Sequence, residues 1–247
     1  MTAGLLLLRH GESLANACDL FTGSLDVDLT RHGREQSAAA GRLIGNCCPA
    51  VDVIISSPLT RARDTARIVR HTLASQAEFL VDWRLIERSY GALTGRRKAE
   101  VLHQFGPTLF VDWRRSVHHA PPPLSGEQLA ILRSQPALQG LPPEAVAATE
   151  SLHDVIARVR PLIADAIVPR TIDGHCVLVV AHGNSLRALV GALDGLDDQQ
   201  LQGLNIPAGQ PFAYQLRNGR PLALSGAYLD PVAARDATVR LDQQGGT

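Results

Sequence analysis

Two short, continuously apolar runs, each ending in a histidine–glycine pair, limit what this chain can fold into more than any other feature. Leu5-Leu6-Leu7-Leu8 runs into Arg9-His10-Gly11-Glu12-Ser13, and Val177-Leu178-Val179-Val180-Ala181 runs into His182-Gly183-Asn184-Ser185. An unbroken Leu/Val run bounded by turn residues is the pattern of a strand buried on both faces, as in a parallel sheet covered by helices. Ligands of such sheets gather beyond the carboxyl ends of the strands. Both imidazoles are therefore expected in one region of space, although most of the chain lies between them.

The remaining pattern alternates in the same way. Thr30 reads as the N-cap of a helix reaching about Leu43, residues 51–55 as a second strand, and Thr60 as the cap of an arginine-rich helix. A short strand at 79–81, a helix over about 152–168, a helix at 185–193 and a final edge strand at 212–216, reversing at Asn218-Gly219, complete it. The expected architecture is one α/β domain over residues 1–247. Its core is a mainly parallel central sheet flanked by helices, a three-layer α/β/α sandwich. Residues from about 84 to 150 break the alternation, with Pro121-Pro122-Pro123 and Pro142-Pro143 inside them, and read as an inserted region of loops and helices covering the site. Residues from about 230 to 247 read as a C-terminal tail.

Charge excludes some partners. Lys plus Arg and Asp plus Glu number 24 each, so no net field favours nucleic acid or an anionic membrane surface, and any basic site must be local. The cysteines, Cys18, Cys47, Cys48 and Cys176, contain no CxxC pair, which argues for reduced thiols rather than a zinc or redox centre. The first residues lack a basic leader, and the leucine run is too short to span a bilayer. A cytoplasmic protein is expected.

The chemistry follows from context. His10 suits a nucleophile, because a neutral imidazole offers one lone-pair nitrogen while its other N–H is held elsewhere. Arg9 brings forked donors for phosphate oxygens, His182 a second polar contact, and Asn184 lies at a helix start, where free N–H groups suit an anion. Arg61, after Ser-Ser-Pro, is a third candidate clamp. Glu87 follows an apolar pair and reads as a partly enclosed carboxyl fit for acid/base work. Lys98, Arg114 and Arg115 add positive charge, as phosphoryl transfer requires. The same residues also suit duller roles: a histidine satisfied at a strand end, a solvated Arg61, a Glu87–Arg88 surface pair, a wet basic stretch. His32 shows the risk, since Arg31-His32-Gly33 repeats the Arg-His-Gly string inside a helix turn and is expected at the surface. No Walker loop, G-x-G-x-x-G or His-Glu-x-x-His occurs, and arginines beside the histidines oppose a divalent cation.

The ordered motifs resemble the histidine phosphatase superfamily and, within it, the cofactor-dependent phosphoglycerate mutases. They are Arg-His-Gly-Glu-Ser-x-x-Asn (9–16), Phe-Thr-Gly (21–23), Asp-Val-Asp-Leu-Thr (26–30) and Ser-Pro-Leu-x-Arg-Ala (57–62). Further on come Glu-Arg-Ser-Tyr-Gly-Ala-Leu-x-Gly (87–95), Lys-Ala-Glu (98–100), Trp-Arg-Arg (113–115), Ala-His-Gly-Asn-Ser-Leu-Arg-Ala-Leu-Val (181–190) and Leu-Asn-Ile-Pro (204–207). The resemblance implies that His10 is phosphorylated, that Glu87 gives and takes the proton, and that Arg9, Arg61 and His182 enclose the phosphoryl group. It implies substrate contacts at Ser13, Asn16, Thr22, Gly23, Arg88, Tyr90, Lys98, Arg114, Arg115, Gly183 and Asn184. The implied reaction interconverts 3-phosphoglycerate and 2-phosphoglycerate, with 2,3-bisphosphoglycerate as priming donor and no metal. The implied assembly is a homodimer or homotetramer. The chain departs from the family pattern at Ser89, where histidine is common, in the stretch after Pro123, and at Asp230-Pro231 in the tail. The divergent tail motivates a second reading, a broad-specificity phosphatase on the same scaffold.

Overall fold

The carboxyl ends of the two histidine-bearing strands lie side by side. In the computed structural model, which describes residues 4–48 and 50–243, β1 (Leu5–Arg9) pairs in parallel with β4 (Val177–Ala181), Arg9 opposite Ala181. Between them come α1 (Leu14–Ala17), α2 (Arg31–Cys47), β2 (Val53–Ser56), α3 (Thr60–Thr72), β3 (Glu78–Val81), α4 (Lys98–Arg115), α5 (Gly126–Arg133), α6 (Leu152–Leu162) and α7 (Val168–Ile172). After β4 follow α8 (Gly183–Asp194), α9 (Asp198–Gly203), β5 (Phe212–Tyr214), β6 (Leu216–Arg217), β7 (Arg220–Pro221), β8 (Ala227–Tyr228) and α10 (Pro231–Gln243). The main sheet runs β3-β2-β4-β1-β5-β8, with β3, β2, β4 and β1 mutually parallel and β5 antiparallel to both its neighbours. This is the expected α/β class.

The runs Leu5–Leu8 and Val177–Ala181 are apolar on both faces because each face meets helices, whereas β3 at the sheet edge carries Glu78 and is half-exposed. Leu5 and Leu7 of β1 pack with Val177 and Val179 against α6 and α8, through Val155, Val159, Leu186 and Leu189. Leu6 and Leu8 pack with Leu178 and Val180 against α2 and α3, through Ala40, Ile44, Ala66 and Val69. The side-chain period of two along a strand sends alternate leucines to opposite layers. At about 25 cal/mol per Å² of apolar area, these two layers dominate the stability of the fold. The region from 84 to 150 builds two further clusters, one around Phe21, Tyr90 and Trp113 and one around Leu59, Ile86 and Leu132. Its longest helix, α4, breaks at Gly106 (φ 79°), ahead of Pro107.

Local details depart from the sequence expectation for identifiable reasons. Thr60 is the first helical residue of α3 rather than its cap; Leu59 precedes the helix, and the Thr60 N–H and hydroxyl both donate to the Asp26 carboxylate. The helix capped by Thr30 continues past Leu43 to Cys47. The helix expected over 152–168 widens into a π turn at Ile163–Ile167 before α7, where Pro169 cannot donate to the preceding turn. β5 is not an edge strand. It lies between β1 and β8, and Asn218-Gly219 (φ 52° and 73°) instead closes the separate β6–β7 hairpin. The tail forms α10 against the site, while residues 244–247 lie outside the described residues. No helix among the described residues is long and apolar enough to cross a membrane.

Candidate active site

His10 leaves the end of β1 and turns sharply at Gly11. Its Nδ1 lies 2.6 Å from the Gly11 carbonyl oxygen. A carbonyl only accepts, so Nδ1 carries the proton and Nε2 keeps its lone pair. The Gly11 N–H donates to Thr65 Oγ1 at 3.1 Å. The turn also presses against α2: a Cβ on Gly11 would meet the Gly33 carbonyl at 2.1 Å, and one on Gly33 would meet the Glu12 carbonyl at 2.0 Å. The duplicated Arg-His-Gly string therefore contributes through its glycine, which lets α2 touch the nucleophile turn. His32 is exposed, as expected, on the α2 wall of the cavity.

His182 follows β4 as the first flanking residue of α8. Its ring centroid lies 5.0 Å from that of His10, and its Nε2 lies 2.8 Å from Ser57 Oγ. Both rings are buried. Desolvation, with Arg61 and Arg9 beside them, holds both imidazoles well below their ordinary 6.5. His10 is accordingly neutral, the form that can attack phosphorus.

The guanidinium groups are anchored by backbone carbonyls far away in sequence. Arg9 Nη1 donates to the Ile206 carbonyl at 2.8 Å, which brings the Leu-Asn-Ile-Pro segment against the first motif. Arg61 donates to Leu25 O at 2.6 Å and to Gly23 O at 2.8 Å, and burial pushes its pKa down to about 10. Glu87, half-buried, accepts from its neighbour Arg88 N–H at 2.8 Å and from Asn184 N–H in the first turn of α8 at 3.1 Å. Asn184 Nδ2 donates to Tyr90 Oη at 3.1 Å. Burial alone would raise the Tyr90 phenol, but Arg88 and Arg114 outweigh it and lower the pKa. Lys98 pairs with Asp19 at 2.6 Å, and desolvation and Arg114 lower its pKa.

These side chains meet in one cavity of about 430 Å³. Arg9, His10, Asn16, Thr22, Gly23, Arg61, Glu87, Tyr90, Lys98, Arg114 and Asn184 line it. The other expected residues stand behind that lining. Ser13 caps α1 and fixes the Asn16 amide, His182 packs edge-on against His10, and Gly183 is buried at the start of α8. Arg88 is fully buried, donating to the Trp113 carbonyl at 2.6 Å with its guanidinium 4.6 Å from the Tyr90 ring. Arg115 ties α4 to the end of α9 and the loop after it, through the Gln202 carbonyl and Asn205 Oδ1 at 2.9 Å. Sequence reasoning missed Glu12, Gln36, Pro207 and Ala208 on the walls, and Ala237, Arg240 and Leu241 from α10. It also missed Arg187, fully buried behind Asn184, whose Oδ1 it holds at 2.9 Å. Glu12, Pro207 and Arg187 lie inside the motifs, whereas the α10 residues carried no signal in the sequence. Among the described residues, no three metal-ligating side chains converge.

A pH dependence of stability follows from the two histidines. Unfolded, both titrate near 6.5; folded, they titrate lower, so below pH 6.5 the unfolded chain binds more protons and stability falls toward the folded values. Each adds a slope of up to about 1.4 kcal/mol per pH unit in that window. The melting temperature should drop between pH 7 and pH 5, and a His10→Asn chain should drop about half as steeply. Parallel curves for the two proteins would contradict the assignment.

Comparison with known proteins places this geometry. The model of the histidine phosphatase superfamily (branch 1) matches residues 5–141 and 133–224. A 2,3-bisphosphoglycerate-dependent phosphoglycerate mutase of Thermobifida fusca (strain YX) is 45% identical, covering 98% of each chain. One of the same description from Streptomyces griseus subsp. griseus is 44% identical over 98% of this chain and 96% of its own. Among solved structures, a mycobacterial glucosyl-3-phosphoglycerate phosphatase complexed with VO3 aligns with a TM-score of 0.65 at 28% identity, covering 85% of this chain and 92% of that one.

Proposed function

Because this chain belongs to the histidine phosphatase superfamily, we propose that it is a phosphoglycerate mutase interconverting 3-phosphoglycerate and 2-phosphoglycerate, in glycolysis and gluconeogenesis, through a phosphorylated His10. One observation carries the reading. A neutral imidazole with an available Nε2 faces, in the same cavity, a carboxylate and cationic side chains from four separate segments of the chain. Relatives at 43–45% identity over nearly the full length support mutase over phosphatase.

His10 Nε2 attacks phosphorus in line, while Arg9 and Arg61 balance the charge on the phosphoryl oxygens and the neutral His182 offers a polar contact beside them. Glu87 gives its proton to the departing hydroxyl and takes one from the hydroxyl that attacks in return. Asn16, Thr22, Gly23, Tyr90, Lys98, Arg114 and Asn184 hold the rest of the three-carbon acid. Ser13, Arg88, Arg115 and Gly183 support those contacts from behind. The donor set fits 2,3-bisphosphoglycerate, which carries anions at both ends. Arg9 Nε is a buried N–H with no protein partner, and Lys98 and Arg114 reach in from α4. That molecule would supply the phosphoryl group that charges His10. The walls, including α10, keep out water, the competing acceptor. The setting is cytoplasmic, the partners are small phosphoglycerates rather than nucleic acid or membrane, and the assembly is a homodimer or homotetramer.

A coupled assay with 3-phosphoglycerate and catalytic 2,3-bisphosphoglycerate should show 2-phosphoglycerate forming far faster than inorganic phosphate is released. The reverse ratio would favour the broad-specificity phosphatase instead.

A further inference from the structure

Glu87 stands on irregular backbone between two 3-10 turns, Trp83–Leu85 and Gly91–Leu93. The chain on both sides of it is gripped by one side-chain pair from elsewhere. Arg158, on α6, donates from Nη1 to the Arg84 carbonyl at 2.6 Å and from Nη2 to the Ile86 carbonyl at 2.8 Å. Its Nε donates to Glu150 Oε1 at 2.8 Å, and Glu150 Oε2 accepts the Ser89 N–H at 2.8 Å. The Glu150 N–H returns a bond to the Ser89 carbonyl at 3.1 Å. Both side chains are about nine-tenths buried, and neither lines the cavity. Inward-turned carbonyls and N–H groups of a loop need partners, and here one ion pair serves the residue before Glu87 and the residue two after it. A buried ion pair carries a desolvation cost that an apolar pair of the same size avoids, so its presence calls for a reason.

We propose that Glu150 and Arg158 are positioning residues for Glu87, holding its carboxyl where the substrate's ester oxygen departs. This rests on the acid/base reading of Glu87. In that step the His10 Nε2 lone pair forms the N–P bond and the P–O ester bond breaks. The ester oxygen keeps the bonding pair and takes the proton from the Glu87 carboxyl. An alkoxide leaves badly without that proton, whereas p-nitrophenolate leaves well without it. Misplacing Glu87 should therefore harm alkyl esters selectively, which mere loosening of the fold would not do. Arg158 also adds to the positive charge that keeps His182 neutral.

The experiment compares hydrolysis of glycerol 3-phosphate and of p-nitrophenyl phosphate by folded Arg158→Lys, Glu150→Ala and Glu150→Gln chains, with Glu87→Gln as reference. It works whether or not the wild-type chain isomerises phosphoglycerate. In Arg158→Lys and Glu150→Ala, kcat/KM on the alkyl ester, which reports the steps up to ester cleavage and not the shared breakdown of phospho-His10, should fall about 10- to 100-fold, with loss on the aryl ester within about threefold. Glu150→Gln retains an acceptor for the Ser89 N–H and should recover most of that loss. The Glu150 pair decides the matter if Arg158→Lys does not fold. Equal losses on both esters, or no difference between Glu150→Ala and Glu150→Gln, would overturn the proposal while Glu87→Gln remains selective. If Glu87→Gln itself is unselective, the acid/base reading falls and the proposal with it.

Discussion

His10→Ala is expected to abolish phosphoryl transfer, lowering kcat by more than about 10⁴-fold, while the protein remains folded. The first half follows from the lone pair at Nε2, which no other side chain supplies. His182, the nearest imidazole, is directed to Ser57 at 2.8 Å through its own Nε2. The second half follows from the protonation state. His10 is buried but neutral, held there by desolvation and by Arg61 and Arg9, so its removal strands no charge. What is lost is one hydrogen bond to the Gly11 carbonyl and some packing, and the melting temperature should stay within about 5 °C of the parent. Mass analysis after brief incubation with 2,3-bisphosphoglycerate should show one acid-labile phosphoryl group on the parent chain and none on the variant. Appreciable mutase activity in His10→Ala would mean that the nucleophile lies elsewhere.

Glu87→Gln should lower kcat by about 10²- to 10³-fold and leave KM within about threefold. Glutamine keeps a carbonyl oxygen where Glu87 accepts the Arg88 and Asn184 N–H groups, so the loop and the first turn of α8 stay joined. It cannot carry the proton that the departing hydroxyl requires. The loss therefore falls on the chemical step rather than on binding. A variant with unchanged kcat and a raised KM would show Glu87 to be a substrate ligand only. The two substitutions also separate the half-reactions. His10→Ala prevents charging altogether, whereas Glu87→Gln should still charge, slowly, to full stoichiometry.

The departures from the family pattern acquire physical meaning in the fold. Ser89, where histidine is common, is buried, and its N–H meets Glu150; its small side chain leaves that contact intact. The divergent tail supplies Arg240 and Leu241 to the cavity wall, close to His32 and Gln36 of α2. The tail thus reaches the site in this chain, although nothing in the residues 230–243 taken alone, a moderately amphipathic segment, points there.

The amino-acid sequence by itself determined the parallel strands of the sheet, the main helices on its two faces and the pair of histidines at its carboxyl edge. Continuous Leu/Val runs, caps such as Thr30, and turn residues act over a few neighbours, and burial of such runs leaves one sensible arrangement. The strand ends also marked His10 and Asn184, whereas Asn16, Thr22 and Gly23 were legible through the resemblance to the mutases. Only the tertiary structure decided which basic and acidic groups face the substrate and which hold the walls. Arg61 turns inward because carbonyls at Gly23 and Leu25 receive it, and Arg9 is held by Ile206. Arg88 and Arg115 turn instead to the carbonyls of Trp113 and Gln202, and Arg158 to those flanking Glu87. A guanidinium goes where buried carbonyls need donors, and those carbonyls come from segments that spacing along the chain cannot bring together.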